Sequence, residues 1–237
     1  MGVLITIYST KHIGIEEYAN TFFDLMFEKG LKIEKIGLFE PINKPFEIED
    51  AIKMWTKQEP GIYDFETSKM IGKAGGMLGK GKGFWFSTSW WLHPNELSLN
   101  HLTIVLSKKL FNQIKKDNLT LFEDLVYSFE AIYGYVTEEE AEDRQHTTGK
   151  LTERIPGVFW LNFFSPVFVD YLNKDNNLLF EFPWENIKDF KKGGVITQLT
   201  ENPFDKTIVD LEKKAQETLG LSKFNGIAND YPNLLTL

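Results

Sequence analysis

The sequence contains no cysteine. That excludes a disulfide framework, a thiolate zinc site and a cysteine nucleophile. Histidine is scarce: His12, His93, His101 and His146 are the four present, and none stands in an H-E-x-x-H pattern. No G-x-S-x-G elbow occurs either, so nothing marks a hydrolase. No apolar run approaches the roughly 20 residues that span a bilayer. The start, MGVLITIYST, lacks the basic opening, long apolar run and cleavage site of a signal peptide. A cytoplasmic location and no membrane partner are expected. Met1, Gly2 and Thr6 fit a myristoylation pattern, but residues 3–8 read better as a first strand. Basic residues are outnumbered, with 26 Lys and Arg against 34 Asp and Glu and a net charge of −8. This balance argues against general binding to nucleic acid and is compatible with a basic protein partner.

Aromatic residues are abundant, at 14% of 237 residues with 20 Phe and 6 Trp, so a sizeable core is within reach. Strand and helix signals alternate throughout, without a Pro-rich linker or low-complexity segment. After the strand at 3–8, Ile15, Ala19, Phe22, Phe23 and Met26 recur at helical spacing, and Gly30 supplies the helix end. A strand at 33–39 precedes a helix carrying Ile48, Ile52 and Trp55. Residues 99–106 pair with an aromatic strand before them as a hairpin. Thr120 and Glu123 form a capping box for a helix, as do Thr137 and Glu140 after a short strand at 133–136. Strands are expected at 158–164, 178–182 and 195–199. Ser165 and Pro166 start a short helix, and the last helix takes Asn202 as cap and Pro203 in its first turn. Ile208, Leu211, Ala215 and Leu219 form its core face, and Gly220 its end. The pattern predicts an α+β fold, a mixed or antiparallel sheet with amphipathic helices packed on it. The chain reads as one domain, 1–237, with possible similar halves at 1–132 and 133–237, each ending in a hairpin and an amphipathic helix.

Residues 72–83, GKAGGMLGKGKG, have the composition of a phosphate loop. Gly76, Gly81 and Lys82 match the first fixed positions of G-x-x-x-x-G-K-[ST], but Gly83 stands where the magnesium-binding hydroxyl belongs. The following FWFSTSWW reads as a strand, whereas the motif must open a helix. The expectation is a flexible loop leading into a strand, with no nucleotide and no other cofactor. In that strand Trp85 and Trp91 share one face, and Phe84, Phe86 and Trp90 the other. Core packing on both faces is expected, with a platform for sugars or single-stranded bases as the alternative.

The acidic helix TEEEAEDRQH holds Glu138, Glu139, Glu140, Glu142 and Asp143 within six positions. Glu142 and His146 lie four apart, but two ligands are too few for a metal, and no metal site is expected. The five acids are candidates for engaging a basic protein surface, weighed against a solvated helix start that complements the helix dipole.

The most distinctive stretches are RIPGVFWLNFFSPVFVDYL, residues 154–172, and KKGGVITQLTENPFDKTIVDLEKKAQETLGL, residues 191–221. Their Pro-Gly-aromatic-Trp strand, proline-started helix, Gly-led strand and closing amphipathic helix resemble the second half of the bacterial immunity proteins that accompany polymorphic and type VI secretion toxins. The likeness is to the immunity family numbered fifty-two and its relatives. Pro156, Gly157, Trp160, Asn162 and Pro166 carry it, and their chemistry is structural. The resemblance implies stoichiometric binding and neutralisation of a cognate toxin domain, not turnover. The alternative is an enzyme or small-ligand module with a pocket between the sheet and the 72–83 loop.

Overall fold

The computed structural model describes residues 2–64, 68–145, 151–174 and 177–236, with their side chains except those at 64, 115–118 and 143. Among these residues the fold is α+β, an open antiparallel sheet of eleven strands with eight helices. The chain divides into two compact units, Thr6–Ala131 with Leu235–Leu237, and Met1–Ile5 with Ile132–Leu234. The first strand, β1 (Gly2–Ser9), contributes to both.

In the first unit, α1 (Glu16–Glu28) buries Ala19, Phe22, Phe23 and Met26, while Ile15 caps it and stays 39% exposed. Gly30, at φ 73°, turns the chain out of the helix, and the Leu31 N–H returns to the Met26 carbonyl at 2.8 Å. Then follow β2 (Ile33–Gly37), the short β3 (Lys44–Pro45) and α2 (Ile48–Trp55). The buried face of α2 is Ala51 and Trp55, and the expected core residue Ile48 is exposed. Phe22 joins Trp55 and Phe86 in one ring cluster, with centroids 5.3 and 4.8 Å away.

β4 (Glu59–Asp64), β5 (Lys69–Gly81), β6 (Phe84–Leu92) and β7 (Asn100–Ser107) complete the strands of this unit. β5 corrects the expected loop: residues 72–81 are strand, paired antiparallel with β6 from Lys73 to Gly81. The glycines are what allow this pairing to coexist with large rings. A Cβ on Gly75 would collide with the Trp90 indole, and one on Gly79 with the Phe86 ring. Phe84, Phe86 and Trp90 are buried, whereas Trp85 on the opposite face is 43% exposed, so the aromatic strand is packed on one face only. The expected β6–β7 hairpin forms. α3 (Lys108–Gln113) is capped by Ser107, whose hydroxyl accepts from Leu110 N–H at 3.3 Å. α4 (Lys115–Ser128) starts well before Thr120, so the Thr120–Glu123 pattern lies inside the helix and caps nothing; the Thr120 hydroxyl meets Lys29 at 3.1 Å instead.

In the second unit β8 (Tyr133–Glu138) is buried at every position and pairs antiparallel with β9 (Leu161–Phe164). β9 pairs with β11 (Val195–Gln198), and β11 with β10 (Asn186–Asp189). α5 (Glu139–Gln145) begins beyond the expected cap, because Thr137 is fully buried in the strand. The strand expected at 158–164 shortens to β9. The Asn162 side chain accepts the Phe159 N–H at 2.8 Å and donates to its carbonyl at 2.9 Å, replacing ladder bonds by a local closure. Pro166 opens α6 (Pro166–Asn173) as expected.

Residues 178–182 are not a strand. They contain α7 (Leu178–Glu181), with the Asn173 side chain accepting from Leu179 N–H at 3.0 Å. An apolar run this short fits either period. α8 (Ile208–Leu219) begins five residues past Pro203, because Asn202 and Asp205 spend their side chains on the N–H groups of Phe204 and Thr207 in successive turns.

Candidate functional site

The acidic segment is largely turned inward. Glu138 ends β8 at 8% exposure, and its carboxylate lies 3.3 Å from Arg144. The other arm of the same guanidinium lies 3.3 Å from Glu212 of α8, itself 3% exposed. Two buried carboxylates thus share one arginine. Burial pushes the Glu212 carboxyl up to about 7, and the Arg144 charge offsets part of that rise. Glu142 accepts from the Tyr135 hydroxyl at 2.6 Å, and Glu139 accepts from the Gly2 main-chain N–H. Among the described acids of the segment, Glu140 is the exposed one. The Asp143 side chain and His146 lie outside the described residues, so the Glu142–His146 pairing does too.

Beside this cluster, Gln145 holds the segment that follows Pro156 and Gly157. Its amide donates to the Val158 carbonyl at 2.7 Å and accepts the Val158 N–H at 3.0 Å. A Cβ on Gly157 would strike the Gln145 amide oxygen, so a larger residue there would displace the amide from Val158. Trp160 is 2% exposed with its indole N–H on the Thr200 carbonyl at 2.7 Å. Asn162 is fully buried and also reaches Thr197 at 3.2 Å. Pro156 is buried, and Pro166 fills the first turn of α6. Pro156, Gly157, Trp160 and Asn162 are thus buried, whereas Pro166 is exposed. Arg144, Gln145 and Glu212 went unremarked in the sequence. A signal for Glu212 was there: it stands four residues after Ile208 and three before Ala215, on the stripe that α8 buries, while Leu211 is only half-buried.

The first unit exposes several large apolar side chains on its strands, and the second unit exposes others, among them Leu221 at 53% and Ile227 at 70%. Ile62, Tyr63, Met70, Trp85 and Leu92 are each 38–55% exposed on neighbouring strands β4, β5 and β6. A cleft of about 410 Å³ is lined by residues of β5, by Thr88 and by the chain leaving β2 and entering β4. It takes the place of the pocket expected between the sheet and a loop, because residues 72–81 belong to the sheet. A second cleft of about 430 Å³ contains Lys32, Lys82 and Lys109. Lys82 and Gly83, at φ 83°, form the tight turn between β5 and β6, so the motif lysine stands between two strands with no helix following. Among the described residues no group of three or more His, Asp or Glu is placed to hold a metal ion. None of the helices among them is long and apolar enough to cross a membrane.

No family model and no curated protein matches this chain. A solved structure does: a Pseudomonas aeruginosa T6SS protein, PA0821, superposes with a TM-score of 0.58 at 14% identity, over 92% of this chain and 76% of that one. At that identity the likeness is one of fold, and it extends over nearly the whole of both units.

Proposed function

We propose that this protein acts by binding another protein, the toxin domain of a type VI secretion system, and neutralises it by stoichiometric occlusion. The observation that carries this reading is the fold likeness to a T6SS protein across 92% of the chain. Exposed apolar side chains on both faces of β4, β5 and β6 are compatible with protein association, Ile62 and Tyr63 being consecutive in β4 and so on opposite faces. The net charge of −8 suits a basic partner, which electrostatic attraction would steer into contact.

The test is co-expression with the product of the neighbouring gene, followed by size-exclusion chromatography and a toxicity assay. A one-to-one complex and survival of cells that otherwise die are the expected results. Separate elution together with undiminished toxicity would overturn the reading.

A further inference from the structure

β5 is paired with β6 along one edge. Along its other edge it pairs with β4 from Lys69 to Ala74 and with β2 from Leu78 to Gly81. Gly75, Gly76 and Met77 therefore have no strand beside them on that edge among the described residues. Three residues span about 10 Å at a rise of ~3.3 Å each. β2 and β4 run in the same direction, antiparallel to β5, so the notch interrupts what would otherwise be one continuous edge strand.

Three further observations bear on what fits there. The cleft of about 410 Å³ lies at this notch, a volume in the range of ligand sites. Thr88, in its wall, is 4% exposed, and its hydroxyl has no hydrogen-bond partner among the described residues. A buried polar group left alone in this way is uncommon and costly. At the rim Lys57 is already neutralised by Glu59 at 2.8 Å, and Phe39 stands 71% exposed. The charge left over is that of Glu40, which disfavours an acidic occupant.

We propose that the notch receives an extended, non-acidic stretch of about three residues from the partner toxin. The stretch adds to the edge of β5 through main-chain hydrogen bonds and supplies a partner for the Thr88 hydroxyl. In this mode of recognition the backbone provides affinity and the pockets alongside select side chains. The identity of the partner rests on the binding function proposed above; the notch geometry does not.

The probe is a capped pentapeptide, acetyl-Thr-Val-Thr-Val-Thr-amide, titrated into the full ¹⁵N-labelled chain, with an alternately N-methylated version that cannot pair as a control. Saturable amide shifts centred on Gly75, Gly76 and Met77, absent with the methylated peptide, are expected. Thr88→Val preserves shape and should weaken the peptide about fivefold without lowering the melting temperature. Phe39→Ala, at an exposed position, should weaken it with the fold intact. No shifts at millimolar peptide, or equal shifts with the methylated control, would overturn the proposal. Hydrogen exchange of the co-purified complex separates the two ideas. A complex in which these three amides exchange as in the lone protein sinks the notch and leaves the binding function standing. A peptide that docks in the notch while no toxin binds does the reverse.

Discussion

The indole N–H of Trp90 donates to the main-chain carbonyl of Trp55 at 2.8 Å, and the Trp55 indole donates in turn to the carbonyl of Ile13 at 2.7 Å. The relay ties the aromatic strand β6 to the end of α2 and to the segment after β1. Both rings are buried, at 2% and 0% exposure. Trp90→Phe keeps much of the volume but strands the Trp55 carbonyl, which should cost about 1–3 kcal/mol. Trp85→Ala, on the half-exposed face, should stay within about 0.5 kcal/mol. Urea unfolding of the two variants checks the contrast, and equal losses would contradict the packing on one face only.

Glu212 gives the second unit a pH dependence of definite sign. Its folded value of about 7 lies above the ordinary 4.5, so the folded protein holds a proton that the unfolded chain releases. The corresponding stability is complete below about pH 4.5 and is lost as pH rises through 7, at up to roughly 1.4 kcal/mol per unit. Burial lowers the values of His12 and His101, which act in the opposite sense below about 6.5. The measurement is therefore the difference between the wild type and Glu212→Gln. The wild type should lose more stability between pH 5 and pH 8 than the variant does; parallel curves would show that the carboxyl ionises freely.

The acidic segment separates into structural and exposed charges. Glu138→Gln removes one of the two ion pairs of Arg144 and leaves Glu212 as its remaining described carboxylate partner, so a measurable fall in melting temperature is expected. Glu140→Gln should leave stability unchanged and, if the segment steers a basic toxin, slow association at low salt, where charges act over about 30 Å at 0.01 M instead of about 8 Å at physiological ionic strength. Stopped-flow rates at two salt concentrations decide it. Identical rates for the wild type and Glu140→Gln would remove the steering role from this residue.

Lys82 occupies a strand-to-strand turn, so no magnesium-dependent ATP or GTP binding is expected by calorimetry. Micromolar binding abolished by Lys82→Ala would refute this.

Elements whose apolar spacing is long and regular were legible: α1, the β6–β7 hairpin and the proline-started α6 sit where their residues predict them. The failures share a physical cause, which is that a local signal was outweighed by distant packing. Glycines at 72–83 suggest a loop until the rings of Trp90 and Phe86 are placed across them. Thr137 has the form of a cap but is claimed by the buried strand β8. For the candidate site, composition identified the acids but not their partners. Arg144 and Glu212 are 68 residues apart, and nothing in their spacing announces that they meet.

Strand β1 precedes the rest of the first unit in the sequence, yet Met1–Ile5 is grouped with Ile132–Leu234. The N-terminal apolar residues Val3, Leu4 and Ile5 must therefore wait through the translation of more than a hundred residues for the rest of their unit. Pairings so distant in sequence slow folding, because the loop must close before any contact rewards it. A truncation at residue 131 would keep these three side chains while discarding the unit they belong to, and a genuine separation of the two units would require a permuted gene.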